Sequence, residues 1–147
     1  MSSTARPRKS PNSEGSTSAV SRLGFKPGQI VQELGWDEDV DDSLRQEIED
    51  AIDGELIEEA MEPVDIVLLW WRDGDGDVVD GLVDAITDLN DTGYLWLITP
   101  KVGKVGFVDA TELNEGAVTA GLTLTNTVPV SHDWTASKLV PPKGPRR

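Results

Sequence analysis

The chain has 147 residues, no cysteine and a formal net charge of −14. This length suits one domain with a substantial hydrophobic core, and the lack of cysteine excludes disulfides and thiolate metal sites. The charge argues against nucleic-acid binding, because phosphate neutralisation requires clustered Lys and Arg, and no apolar run approaches the roughly 20 residues of a membrane span.

Charged residues are distributed unevenly along the chain. Residues 33–91 hold 22 Asp and Glu against two Arg, a net charge of −20. The flanking segments are basic, with +4 over residues 1–26 and +2 over residues 92–147. The molecule is therefore strongly polarised, and its acidic half is suited to a basic partner.

Both ends of the chain are basic and poor in apolar side chains. Residues 1–20 cannot offset the entropy of ordering, so they are predicted to form a disordered basic tail. Residues 142–147 are predicted to form a flexible basic C-terminal tail, which leaves one domain over residues 21–141. Because the N-terminus lacks the apolar stretch of a signal peptide, we expect a cytoplasmic protein.

The domain begins with a short strand and an acidic helix. Residues 29–34 are β-branched and apolar enough for a strand. Apolar residues at helical spacing run from Leu44 to Ile52, and Gly54 is placed to end this helix. Its N-cap is one of three adjacent residues with suitable side chains: Asp41, Asp42 or Ser43.

Residues 55–60 are ambiguous between an extension of that helix and a short edge strand. We favour the strand, because Gly54 interrupts the helical pattern.

A continuous apolar run lies at the centre of the chain. Residues 66–71 do not alternate with polar residues, so they must bury both faces, as a central parallel strand does. Residues 93–99 predict a second buried strand, and the helix between the two begins at the N-cap Asp77 and continues to Leu89. The tryptophans of these strands are predicted to belong to the core: Trp70, Trp71 and Trp96.

The end of the chain predicts a helix and a hairpin. Asp109 and Glu112 have the spacing of a capping box, which opens a helix that stops at Gly121. Residues 122–130 and 134–140 are strand-like and are joined by a three-residue turn containing His132, so they form an antiparallel hairpin at or near one sheet edge. The order predicts an α/β fold, a small Rossmann-like, mainly parallel sheet flanked by helices and ending in an antiparallel hairpin.

Four segments resemble an uncharacterised actinobacterial family, DUF3052. They are residues 23–35, 64–72, 96–101 and 133–134, and the resemblance extends over nearly the whole domain. The family has no established activity, so the resemblance supports the fold and implies no function.

The element order also resembles a trimmed class I methyltransferase, whose first strand runs into a glycine-rich cofactor turn. Glu33 and Gly35 match the beginning of that turn and are therefore candidates for binding a cofactor. Trp36, Asp37 and Glu38 occupy the positions where further glycines would let the backbone approach the cofactor. This departure argues against S-adenosylmethionine binding.

The carboxylates Asp73, Asp75 and Asp77 resemble the opening of a calcium loop. Val78 replaces the glycine of the sharp turn, and Asp84 replaces the bidentate Glu. We therefore predict no specific metal site, and these three carboxylates remain candidates only for weak divalent-cation screening.

No residue at these strand ends is an evident nucleophile or general base, so no catalytic residue is assigned and an enzyme is not favoured. We interpret the chain as a non-enzymatic interaction or regulatory module that binds a basic protein partner and no cofactor. The alternative is a diverged nucleotide- or S-adenosylmethionine-binding protein. Oligomeric state is left open. The candidate partner-binding residues follow two neighbouring strands: Trp36, Asp37, Glu38, Asp39, Asp73, Asp75 and Asp77.

Overall fold

The apolar run at the centre of the chain forms the second strand of a five-stranded sheet. The computed structural model describes residues 19–142, so nearly all of both predicted tails lies outside the described residues. Within this part of the chain, no helix combines the length and the apolarity needed to cross a membrane. In chain order the elements are α1 (Ala19–Leu23), β1 (Val31–Leu34), α2 (Asp42–Ile52), β2 (Val64–Trp70), α3 (Val78–Ala85), β3 (Leu89–Pro100), α4 (Ala110–Thr119), β4 (Thr123–Pro129) and β5 (Trp134–Val140).

The sheet has the strand order β1-β2-β3-β5-β4. β1, β2 and β3 are parallel to one another, and β5 pairs antiparallel with both β3 and β4. β4 therefore runs in the same direction as the first three strands, and it forms one edge of the sheet. The predicted α/β fold with a closing antiparallel hairpin is confirmed.

Alternate residues of β2 supply two separate cores. Ile66, Leu68 and Trp70 face α2, while Val67 and Leu69 face α3 and α4. This two-sided burial explains why the strand lacks the polar alternation of a half-exposed strand. The predicted core tryptophans are all buried: Trp70, Trp71 and Trp96.

Aspartates begin three of the helices. Asp41 accepts a hydrogen bond from the Leu44 amide, Asp77 from the Val79 amide, and Asp109 from the Thr111 amide, each at the first turn of its helix. These bonds satisfy amides that would otherwise lack a partner at the helix start. The Asp41 alternative for α2 and the caps at Asp77 and Asp109 are thus confirmed, and these carboxylates have structural roles.

Two expected helix ends are corrected. The C-cap of α2 is Asp53, whose φ of 56° is in the left-handed region, and not Gly54. α3 stops at Ala85, short of the expected Leu89, because Leu89 already pairs with Val64 and opens β3.

Residues 55–60 form one bridge and not a strand. Ile57 pairs with Gln32 in parallel, and its backbone exchanges hydrogen bonds with Glu33 (2.7 Å) and Val31 (3.0 Å) on the outer edge of β1. The segment therefore pairs at an edge of the sheet, but the expected strand is wrong, because the pairing does not continue beyond a single residue.

A close contact between α3 and Trp71, the residue after β2, gives a first prediction. A Cβ atom at Gly81 would lie 2.5 Å from a ring carbon of Trp71. Gly81→Ala should therefore destabilise the protein by about 1–3 kcal/mol in urea denaturation, although alanine alone would favour a helix by about 1 kcal/mol. In a Trp71→Leu background the same change should be neutral or stabilising. Equal destabilisation in both backgrounds would contradict this explanation.

Candidate functional site

The carboxyl ends of β1 and β2 open on a cleft of about 400 Å³, and α3 forms one of its walls. Leu34, Leu69 and Trp71 give the cleft an apolar floor. Its rim carries one cation and several carboxylates from three different segments: Arg72, Asp37, Asp75 and Asp84. The two acidic stretches of the sequence, residues 37–39 after β1 and residues 73–77 after β2, therefore meet here, as expected for the carboxyl ends of neighbouring parallel strands.

Arg72 holds the two acidic stretches together. Its guanidinium donates to Asp39 through two nitrogens, at 3.0 and 2.5 Å, and to Asp75 at 3.4 Å. It also donates to the Gly35 carbonyl at 2.8 Å and lies 5.5 Å from the centre of the Trp134 ring. One cation thus joins the ends of β1 and β2 with the loop that precedes α2.

The hydrogen bonds from Arg72 hold the pKa of Asp39 below its ordinary value. A lowered folded-state pKa contributes stability above the unfolded-state pKa, and this contribution is lost as the pH falls through the folded-state pKa. The link between the two acidic stretches is therefore weakened only in acid.

Glu33 lies at the carboxyl end of β1, and its carboxylate is bound by other side chains of the protein. Its carboxylate receives two hydrogen bonds from Arg45, at 2.7 and 2.8 Å, and one from the Trp70 indole nitrogen at 2.9 Å. Glu33 is buried, and its hydrogen bonds raise the pKa of Arg45. Using this carboxylate for a cofactor would require breaking a buried ion pair, which is strongly destabilising.

Gly35 has a structural reason to be glycine. Its φ is +78°, and an added Cβ atom would lie 2.3 Å from the Trp70 carbonyl oxygen of the adjacent strand. Glycine is therefore required by the approach of β2 and by the turn itself. Both cofactor candidates, Glu33 and Gly35, are explained by contacts within the protein.

Only some of the candidate partner-binding residues line the cleft. Trp36 is 51% exposed and lines the cleft together with Asp37 and Asp75. Asp39 is held beside the cleft by its hydrogen bonds from Arg72, which is a lining residue. The remaining candidates do not line the cleft: Asp77 caps α3, and Glu38 and Asp73 are exposed.

Sequence reasoning missed Asp84 as part of this surface, and it missed the central position of Arg72. Asp84 follows Asp77 by two helical turns, so the helical period could have placed it on the same side of α3. Arg72 carried a different signal, since it is one of only two basic residues among the 22 acidic residues of the segment 33–91.

The chemistry available in the cleft is limited to carboxylates, one guanidinium and indole rings. No Ser, Thr, Cys, His, Lys or Tyr is among the residues that line it. Within residues 19–142, no group of three or more potential ligands gathers in a way that could hold a metal ion. Asp75 instead binds Arg72 through its carboxylate, which also accepts from the Arg72 amide at 3.0 Å.

His132 and Asp133 lie in the turn between β4 and β5, as expected. The Asp133 carboxylate pairs with Lys104 at 3.0 Å, and this bond holds the pKa of Asp133 below its ordinary value. The acidic residue of this pair is therefore tied to the loop 101–108.

Comparison with protein families and known proteins gives one consistent result. A family model described as a protein of unknown function (DUF3052) matches residues 20–143. Uncharacterized proteins of Mycobacterium tuberculosis and Mycobacterium bovis are 52% identical over 123 residues, which cover 83% of this chain and 77% of each relative.

Solved structures with a similar fold are methyltransferases. A putative methyltransferase from Thermoplasma acidophilum aligns with a TM-score of 0.60 and 11% identity, covering 83% of this chain and 72% of that chain. A SAM-dependent methyltransferase from Aquifex aeolicus aligns with a TM-score of 0.51 and 14% identity, covering 82% and 86%. At such low identity the likeness concerns the fold alone.

Gly35 provides a test of the structural explanation for the turn. Gly35→Ala should destabilise the protein by about 1–3 kcal/mol more than Gly28→Ala, measured by urea denaturation. Gly28 is the matched control, because it also has a positive φ (+89°) but its Cβ would meet nothing within 4 Å. Similar losses for the two variants would mean that contact with β2 does not fix the identity of residue 35.

Salt should affect the destabilisation caused by replacing Arg72 differently from that caused by replacing Arg45. Arg72→Met leaves exposed carboxylates facing one another and should destabilise the protein by about 1–3 kcal/mol at low salt. This destabilisation should shrink in 0.5 M NaCl, where the Debye length of about 4 Å screens the repulsion between the carboxylates. Arg45→Met leaves the buried Glu33 charge, which salt screens poorly, so its destabilisation should persist. Denaturation of both variants and the wild type at two salt concentrations measures this, and an identical salt response would contradict it.

Proposed function

The chain belongs to the DUF3052 family, a family of unknown function with a methyltransferase-like fold in this member, and from that premise we propose that it is a non-enzymatic interaction or regulatory module. Its ligand is a basic segment of a protein partner, bound in the cleft at the carboxyl ends of β1 and β2. The observation that carries the proposal is an exposed indole, Trp36, lining an open cleft beside three carboxylates: Asp37, Asp75 and Asp84.

The composition of the cleft suits a Lys or Arg side chain. An indole face attracts a cation, and the attraction strengthens when the cation leaves bulk water. Asp37 and Asp84 form no ion pair within the described part of the chain and are free to receive such a cation. Arg72 does not neutralise the charges of Asp37 and Asp84, since its guanidinium is already paired with Asp39 and Asp75.

The charge of the surrounding segment supports the same partner. Residues 33–91 carry a net charge of −20, which would attract a basic segment over a distance of about one Debye length, roughly 8–10 Å. Such steering raises the association rate and is lost at high salt.

A second candidate function is a diverged S-adenosylmethionine or nucleotide site. It is supported by the fold and by the position of the cleft at the carboxyl ends of parallel strands. Glu33 and Gly35 weigh against it, because both are used within the protein. The carboxylates of the cleft would in addition repel the phosphates of a nucleotide.

The test is calorimetry with a Lys- and Arg-rich decapeptide as the probe. The wild type should bind it with an affinity that falls from low to high salt. The variant Trp36→Ala, Asp37→Asn, Asp84→Asn should bind it about tenfold more weakly, because it loses the indole and two carboxylates. A decapeptide with Glu in place of Lys and Arg should not bind.

A matched variant controls for net charge. Met61→Ala, Glu62→Gln, Asp88→Asn removes an exposed apolar side chain and two carboxylates at the opposite end of the sheet, and should change the affinity by less than about twofold. Equal losses in the two triple variants would show that net charge alone attracts the peptide. Tight binding of S-adenosylmethionine by the wild type, lost in the cleft variant, would establish the second candidate instead.

A further inference from the structure

A second cavity, of about 210 Å³, lies under the loop that follows β3. It is bounded by the ends of β3, β4 and β5 and by the first turns of α4. It shares no lining residue with the acidic cleft, so an inference about its ligand does not rest on the function proposed above.

The floor of this cavity is a row of hydroxyl groups on three adjacent strands. Thr99 pairs with Thr135 across β3 and β5, and Thr127 pairs with Ser137 across β4 and β5. The Thr127 and Ser137 hydroxyls lie 3.4 Å apart. Thr99 and Ser137 are only 4% and 3% exposed, so their hydroxyls belong to the buried part of the sheet. A polar floor of this kind favours a ligand with hydrogen-bonding atoms.

The opposite wall of the cavity is apolar and incompletely covered. Val108 and Leu113 are buried, whereas Phe107 is 38% exposed and Val102 is 76% exposed. A molecule with an apolar body would contact all four side chains and remove part of the Phe107 ring from water. Such burial contributes about 25 cal/mol per Å² of apolar surface.

Charge selects the polar group of that molecule. The chain contains 27 Asp and Glu, yet none lines this cavity, and Lys101 is the one charged residue among the lining residues. Lys101 forms no ion pair within residues 19–142, whereas its neighbour Lys104 is paired with Asp133. An ammonium group can only donate, so the ligand atom beside it must accept hydrogen bonds and gains from a negative charge.

The volume sets the size of the ligand. A cavity of about 150 Å³ holds benzene, so about 210 Å³ accommodates roughly eight non-hydrogen atoms. We propose that this cavity binds a small apolar monocarboxylate, with its carboxylate at Lys101 and the hydroxyl floor and its apolar body against Phe107, Val108 and Leu113.

The experiment is a calorimetric titration of the full chain with hexanoate and with hexanamide, a neutral molecule of the same shape. Hexanoate should bind at one site per chain and about tenfold more tightly than hexanamide, because its hydrogen bonds to Lys101 are charge-assisted. Lys101→Gln should remove this preference without affecting the fold, since residue 101 lies in a surface loop. Lys104→Gln is the matched control in the same loop and should retain the preference.

Ser137→Val locates the site, because it removes one floor hydroxyl and adds methyl groups to the cavity. It should weaken both molecules by about fivefold or more, with the folded state checked by its melting curve. Three results would each overturn the proposal: no saturable binding up to about 10 mM, equal affinity for hexanoate and hexanamide, or the same loss in Lys104→Gln as in Lys101→Gln. Unchanged binding by a folded Ser137→Val protein would place the molecule elsewhere and overturn it as well.

Discussion

The buried carboxylate of Glu33 is the interaction on which the acidic end of the molecule depends. Removing a carboxylate from water costs several kcal/mol, and this cost is met only with complete hydrogen bonding. Arg45 supplies two bonds from α2 and Trp70 supplies one from β2, so both of these elements are fixed to the end of β1. The placement of α2 in turn brings Asp39 to Arg72.

The many acidic residues of the segment 33–91 divide into those with structural partners and those without. Asp41 and Asp77 cap helices, and Glu33 and Asp39 bind arginines. The carboxylates that line the cleft without an ion pair contribute little to the fold, since the one hydrogen bond of the Asp37 side chain within the described residues comes from the adjacent Glu38 amide. Their mutual repulsion costs stability. A purely structural explanation therefore accounts for part of the acidic sequence and leaves the rim of the cleft unexplained.

The sequence predicted the elements whose cause is local and missed the contacts whose cause is tertiary. The buried strand 66–71 and the cap at Asp77 follow from patterns within a few residues. The Glu33–Arg45 pair joins residues 12 apart, and the contact between Gly35 and Trp70 joins residues 35 apart. Nothing in the spacing of these residues reveals the pairing. For the same reason, the sequence suggested Glu33 and Gly35 as cofactor residues, because it does not reveal their contacts with Trp70 of β2.

The crossover connections explain why the cleft lies between β1 and β2. These strands and β3 follow one another across the sheet, yet α2 packs on one face and α3 on the other. Two right-handed crossovers in one direction would place both helices on the same face. The bridge at Ile57 explains this arrangement. After β1 the chain passes through α2 to Ile57, which pairs with the outer edge of β1, and only then does it return to β2 on the other side of β1. The crossover through α2 therefore runs in the direction opposite to the crossover through α3. The winding therefore reverses between β1 and β2, where a sheet of this kind leaves a crevice for a ligand. Topology thus determines the place of the cleft, while Trp36 and the carboxylates beside it determine which ligand suits it.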